Sequence, residues 1–360
     1  MTTQRQDIRK VSTEQLKAWL TQQGEQGFRA KQIEEWIWKK SATSFGQMSN
    51  LSKSTRDLLD AHFEIRSLSV AQEQRSGDGT VKSSFRLYDG NLIEGVLIPA
   101  LRETDAGEHD STGASRMTAC VSSQVGCSLT CTFCATGYMD RKRNLDAAEI
   151  YDQVVAIARQ ANQYYQSPLT NIVYMGMGEP LLNYKNVLES VDHITSPNGL
   201  GMSPKRITVS TAGIAKMIRQ LGDDQVKFNL ALSLHAANDE KRNQIMPINE
   251  SNTLKNLADS LTYFYRKTGT RVTFEYIVFY NFNDTLQDAR ELWEFTKKVP
   301  AKVNIIEYNP ISEASFRNTD PQTLDRFAGF LEDRGVVVNI RRSRGKDIDA
   351  ACGQLAGKEK

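Results

Sequence analysis

At 360 residues the chain can bury a large core, as one big domain with a smaller attachment or as two domains. Its 39% hydrophobic and 24% charged content is that of an ordinary soluble globular protein, and no run of eighteen apolar residues suggests a membrane span. The polar start from Met1 to Lys10 is unlike a secretory signal, so the expected location is cytoplasmic; the net charge of +2 neither demands nor excludes nucleic acid.

The first sixty or so residues read as helical. Ser12-Thr13-Glu14 can cap a segment carrying Leu16, Trp19 and Leu20; Ala30 to Lys40 carries Ile33, Trp36, Ile37 and Trp38; a third helix follows Ser52 with Leu58, Leu59 and Phe63 inward. So few short helices must dock on the remainder of the chain. From Glu64 to Pro99 the texture alternates, with Gly77-Asp78-Gly79 and Asp89-Gly90 as hairpin turns, giving a three-stranded antiparallel meander. Arg102 to Ser115, rich in Gly, Asp, Glu and Ser, reads as a linker. The expected division is therefore a helical accessory domain at 1–63, a meander and linker at 64–115, and a main domain at 116–360.

Beyond the linker, short apolar strands near Ala119, Ile172, Ile207, Phe228, Val272 and Val303 alternate with helical stretches near 146–164, 184–195, 213–221, 254–267, 286–298 and 321–334. Six such alternations predict parallel strands with crossover helices, an α/β barrel or open sheet whose ligands sit at the carboxyl ends of the strands. Polar and Gly-rich runs collect at those ends: Gly176-Met-Gly-Glu-Pro180, Ser210-Thr211-Ala-Gly213, Ser233-Leu-His235 and Asn309-Pro310.

Cys127, Cys131 and Cys134 form a Cys-x3-Cys-x2-Cys run after the first of these strands. Three thiolates on one loop can bind three irons of a [4Fe–4S] cluster and leave the fourth iron for a non-protein ligand. Structural zinc is the alternative, but it normally closes four ligands, and the nearest histidine is His109, eighteen residues before Cys127. An odd total of five cysteines argues against a disulfide framework and leaves Cys120 and Cys352 to be explained. Local basic runs, Lys39-Lys40, Arg141-Lys-Arg143 and Arg341-Arg342 with Arg344 and Lys346, are compatible with RNA or with a solvated surface.

The runs Cys120-Val-Ser-Ser-Gln-Val-Gly-Cys127, Cys134-Ala-Thr-Gly137, Arg143-Asn-Leu145, Met175-Gly-Met-Gly-Glu-Pro-Leu-Leu-Asn183, Ser233-Leu-His-Ala236 and Asp347-Ile-Asp-Ala-Ala-Cys-Gly-Gln-Leu355 resemble the RlmN/Cfr family of radical S-adenosylmethionine (SAM) RNA adenine methyltransferases. The likeness spans nearly the whole chain, including Gly27-Phe-Arg-Ala-Lys-Gln32, and departs at Asp140-Arg141, where most members of the family carry Gly-Phe. It implies a radical SAM partial (βα)6 barrel, a [4Fe–4S] cluster on Cys127, Cys131 and Cys134, and two SAM molecules per turnover. Gly178, Glu179, Ser210, Ser233, Leu234, His235 and Asn309 match the SAM contacts, and Glu94 the proton acceptor. In the family the cysteine matching Cys352 is methylated and carries the methyl group to adenine, and the one matching Cys120 then attacks Cys352 sulfur to release the product and leave a disulfide.

The implied substrates are 23S rRNA at the peptidyl-transferase centre and tRNA at the adenosine 3′ of the anticodon. The reductant would be an electron donor such as flavodoxin, and the enzyme a monomer. Gly178-Glu-Pro-Leu-Leu-Asn183 is more like the RlmN branch, which methylates C2, than the Cfr branch, which methylates C8. A cluster-bearing RNA-binding protein without turnover is the competing class.

Overall fold

The computed structural model describes residues 5–100, 102–103, 109–110 and 116–357. A ten-stranded mixed sheet organises the molecule. The meander supplies β1 (Ser69–Arg75), β2 (Val81–Arg86) and β3 (Leu92–Ala100); then come β4 (Arg116–Cys120), β5 (Asn171–Tyr174), β6 (Ile207–Thr211), β7 (Asn229–Ser233), β8 (Val272–Ile277), β9 (Ala301–Ile306) and β10 (Val338–Arg341). Their spatial order follows the chain, and the two end strands do not pair with each other, so the barrel is partial.

Strands β4 to β10 are all parallel, while β1, β2 and β3 run antiparallel and extend the same sheet, β3 pairing with β4 from Val96↔Cys120 to Ala100↔Arg116. A seventh parallel strand, β10, is thus added to the six expected. It sits at the edge, is largely exposed and is only four residues long, with an asparagine between Val338 and Ile340 and a basic run starting at Arg341, so the apolar rhythm does not mark it. Of the expected linker, Arg102–Glu103 pairs antiparallel with His109–Asp110, and the rest lies outside the described residues.

Near the N-terminus are α1 (Thr13–Gln22), α2 (Arg29–Glu34) and α3 (Lys53–His62). Ser12 and Gln15 form a reciprocal capping box that starts α1, satisfying two backbone amides with no intrahelical partner. These helices enclose a small core of their own around Leu20, Ile33, Met48 and Leu59. Among the contacts that dock it on the barrel, buried Arg9 bridges Asp7 and Asp152, at 3.1 and 2.8 Å, and Trp38 stacks on His193 with ring centroids 3.6 Å apart.

The crossover helices are α4 (Ala147–Tyr165), α5 (Tyr184–Thr195), α6 (Ala215–Asp223), α7 (Asp239–Ile245), α8 (Leu254–Thr268), α9 (Leu286–Thr296) and α10 (Pro321–Glu332). They pack apolar faces such as Ile150, Val154 and Ile157 of α4 onto the sheet, in one continuous core with Ile172, Val209, Leu230 and Phe274. Helix α4 starts at Asp146, whose carboxylate accepts from the Glu149 amide. Glu149 is in turn gripped by both terminal nitrogens of Arg143, at 2.7 and 2.8 Å, so the Arg143-Asn-Leu145 run serves to fix the start of this helix. Among the described residues no helix is long and apolar enough to cross a membrane.

Candidate active site

Every candidate loop leaves the carboxyl end of a parallel strand. Cys120 ends β4, Gly176 follows β5, Ser210 lies in β6, Ser233 ends β7, Asn309 follows β9 and Cys352 follows β10. The loop after β4 acts as a clip. Ser122 Oγ donates to the Glu94 carbonyl at 2.6 Å and accepts from the Met177 amide at 2.8 Å, and Gln124 Oε1 accepts from the Glu179 amide at 2.8 Å. This clip explains the two glycines. A Cβ on Gly176 would lie 2.7 Å from Ser122 Oγ, and one on Gly178, whose φ is +91°, would lie 2.4 Å from Gln124 Cβ. They do more than turn the chain, because the clip occupies the space a side chain would need.

Cys127, Cys131 and Cys134 line one cavity with Gly178, Glu179, Ser210, Ser233 and His235. Burial pushes the Cys127 thiol up to about 11 and raises Cys131 and Cys134 as well. Cys127 and Cys131 are raised further by neighbouring thiolates, which the charges of Arg141 and Arg242 offset only in part. Among the described residues no three His, Cys, Asp or Glu side chains are set to grip one metal ion. A cubane engages its thiolates at three separate irons, and three soft donors on one loop, facing a cavity with polar groups opposite, fit that cluster. The side chain of His109, the histidine nearest in sequence, lies outside the described residues.

The polar groups opposite are held firmly. Buried Glu179 accepts from the Leu181 amide at 2.9 Å and the Ala212 amide at 2.7 Å, tying the loop after β5 to that after β6, while burial raises its carboxyl. His235 has a left-handed backbone, φ +53°, and its Nδ1 accepts from the Ile277 amide at 3.2 Å, which leaves the proton on Nε2. Burial, with a smaller contribution from Arg242, depresses the His235 imidazole to about 3. The Ser210 and Ser233 hydroxyls lie 3.4 Å apart, and Asn309 Nδ2 donates to the Cys352 carbonyl at 3.1 Å while its Oδ1 is buried without a partner.

Sequence reasoning missed Arg242, which organises this rim from α7. Fully buried, it donates to the carbonyls of Leu234, Ala212 and Ser233 and to Asn249 Oδ1. The signal was faint: an arginine among the polar residues of a short helix.

Cys120 and Cys352 line a second cavity. Cys120 is buried and its thiol is raised first by burial and then by the charge of Cys352, so the two sulfurs sense each other. Cys352 is exposed, and its surface opens on both cavities; Ala135 N donates to the Gly353 carbonyl at 2.7 Å, bringing it beside the cysteine loop. Arg341 lowers both thiols, and Arg116, Arg341, Arg342 and Arg344 surround the cavity.

Glu94 is not brought into this cavity. It is buried rather than exposed on its strand, with Oε1 3.2 Å from Lys82 Nζ and Oε2 accepting from the Ala356 and Gly357 amides at 2.8 and 3.2 Å. Lys82 Nζ also donates to the Asp349 carbonyl at 3.2 Å, so this buried pair holds the chain on both sides of Cys352. The Asp140 backbone carbonyl lies 2.2 Å from where a Cβ on Gly126 would stand, which accounts for glycine at φ +74° there.

Residues 6–65 match the model of the ribosomal RNA large subunit methyltransferase N-terminal domain, and residues 121–292 that of the radical SAM superfamily. A protein of Cytophaga hutchinsonii described as a probable dual-specificity RNA methyltransferase RlmN is 62% identical over 98% of this chain and 93% of its own. The dual-specificity RNA methyltransferase RlmN of Geotalea uraniireducens is 42% identical over 98% and 97%. The crystal structure of a radical SAM methyltransferase from Sphaerobacter thermophilus superposes with a TM-score of 0.89 at 36% identity, covering 98% of this chain and all of that one. With relatives this similar along almost its entire length, the chain belongs to the RlmN family of radical SAM methyltransferases.

Proposed function

We propose that this chain methylates C2 of adenosine in 23S rRNA, at the peptidyl-transferase centre, and in tRNA, 3′ of the anticodon. The observation that carries the reading is a single cavity lined by Cys120 and Cys352, adjoining the one lined by Cys127, Cys131 and Cys134. A binding protein has no use for two further thiols in that position.

In this reading Cys127, Cys131 and Cys134 hold the [4Fe–4S] cluster, and Gly178, Glu179, Ser210, Ser233, Leu234, His235 and Asn309 face SAM. When bound, the cluster and SAM supply the methyl group and the one-electron chemistry that lets carbon bond to an adenine position with no nucleophilic character. Cys352 accepts the methyl group as a thiolate, and its exposure to both cavities gives it access to donor and base. The positive charge of Arg341 favours the thiolate form of both cysteines, at Cys120 against the burial that opposes it. Cys120 attacks the Cys352 sulfur, the S–C bond breaks with its electron pair passing to the methylated base, which takes up a proton to complete the methyl group, and a disulfide remains for an external dithiol to reduce. For Glu94 to accept a proton from substrate, the segment at 354–357 must first leave its carboxylate, since both oxygens are engaged.

The four arginines at the mouth suit RNA phosphates, and residues 1–63 are taken as an accessory RNA-binding domain beside the meander at 64–115 and the barrel at 116–360. We take the enzyme to work as a cytoplasmic monomer, with a carrier such as flavodoxin as reductant. The test is mass spectrometry of adenosines from 23S rRNA and tRNA treated with the reconstituted enzyme. 2-Methyladenosine supports the proposal, 8-methyladenosine replaces it with the Cfr-type reaction, and RNA binding without methylation replaces it with a non-catalytic role.

A further inference from the structure

Strand β8, Val272-Thr-Phe-Glu-Tyr-Ile277, is buried at every position, yet carries a carboxylate at its centre. A carboxylate in such a strand is costly unless something engages it. Glu275 stands at one register with Ser233 on β7, Asn304 on β9 and Asn339 on β10. Asn339 Nδ2 donates to Asn304 Oδ1 at 3.2 Å, and Asn304 Nδ2 donates to Glu275 Oε1 at 2.8 Å. This row orients the carboxylate and occupies one oxygen. The other, Oε2, is buried with no hydrogen-bond partner, and Arg341 lies 4.0 Å from Oε1. Glu275 also belongs to the wall shared by the two cavities, whereas Glu94 lines neither.

We infer that Glu275 reads the target base: its free oxygen accepts a hydrogen bond from the exocyclic amine of the adenine as the base lies between Cys120 and Cys352. The inference rests on the proposed function, which puts the target base in that cavity. Adenine presents an amine donor, and the lone pairs of Oε2 accept, so the pairing is complementary; burial raises the Glu275 carboxyl, while Arg341, the Asn304 amide and Lys302 favour its accepting, ionised form. The asparagine row makes this directional: in Glu275→Gln the carbonyl stays with Asn304 and the amide nitrogen takes the place of Oε2, where it opposes the amine with a second donor.

The experiment uses full-length, cluster-loaded protein and a tRNA anticodon stem-loop carrying adenosine or purine riboside, which lacks the amine, at the target position. For the wild type, purine riboside is expected to lower kcat/KM by about tenfold or more, the usual loss when a buried acceptor is left unpaired. Glu275→Gln is expected to lose a similar factor on adenosine and no more than about twofold further on purine riboside, while intact-mass measurement still finds one methyl group on Cys352. Equal rates on both RNAs by the wild type would overturn the inference, as would adenosine methylation by Glu275→Gln within about twofold of wild type. A variant unable to methylate Cys352 would also overturn it, placing Glu275 on the SAM side. If the wild type methylates neither RNA, the proposed function fails and this inference with it.

Discussion

The buried pair of Lys82 and Glu94 holds the Cys352 segment to the meander, and its removal has a calculable consequence. Both side chains are almost wholly buried, 6% and 3% exposed, so Lys82→Met leaves a carboxylate without its cation where water does not replace it. Breaking one partner of a buried pair costs about 3–5 kcal/mol. The same substitution removes the donor to the Asp349 carbonyl, a further loss of about 1 kcal/mol. Glu94→Gln alone retains one acceptor for the Ala356 and Gly357 amides but strands the ammonium. The double variant removes both charges, so its cost should fall short of the sum of the single costs by about 2 kcal/mol or more.

Urea unfolding of the four proteins measures that coupling, and hydrogen exchange at Ala356 and Gly357 reports the segment directly. Faster exchange there in Lys82→Met, with the amides of β8 unchanged, is the expected pattern. Unfolding within about 0.5 kcal/mol of wild type, with the same exchange at both amides, would refute the latch.

Gly178→Ala should destabilise by about 2–4 kcal/mol, from a non-glycine residue at φ +91° and displacement of Gln124 from the Glu179 amide, and should abolish SAM binding in equilibrium dialysis; unchanged stability would show that the clip yields freely. Because His235 is held neutral, the unfolded state binds the proton more readily, and the stability this residue contributes is lost as pH falls from its unfolded value near 6.5 towards 3. Between pH 7 and 5, wild type should therefore lose about 2 kcal/mol more than His235→Asn in paired unfolding curves, and equal losses would contradict the burial argument. Arg9→Met leaves Asp7 and Asp152 without their shared cation, so it should cost about 3–5 kcal/mol and expose the junction of helical domain and barrel to proteolysis; an unchanged cleavage pattern would count against that junction.

Much of the site was legible because its chemistry needs rare residues at close spacing. The cysteine loop, Gly176 and Gly178, His235 and Asn309 all stand at strand ends that the apolar rhythm had already marked. What stayed hidden depends on long-range register. Ser122 and Gln124 gain meaning only once β4 and β5 are neighbours, and Lys82 reads as one polar residue of a meander until the C-terminal segment is laid across it. Glu275 left a trace as the one charge inside the run of β8, but its orientation comes from Asn304 and Asn339 on two later strands. The edge strand β10 was masked by its shortness and exposure: Val338 and Ile340 are its only apolar residues, and a basic run begins at Arg341.

The central claim is the division of five cysteines into three that hold a cluster and two that move a methyl group. It is tested most directly by intact-mass and nuclease-digest analysis of Cys120→Ala and Cys352→Ala incubated with SAM, reductant and tRNA. The account predicts a covalent protein–RNA adduct through Cys352 in Cys120→Ala, and neither adduct nor methylated RNA in Cys352→Ala. Wild-type levels of 2-methyladenosine from Cys352→Ala would contradict it.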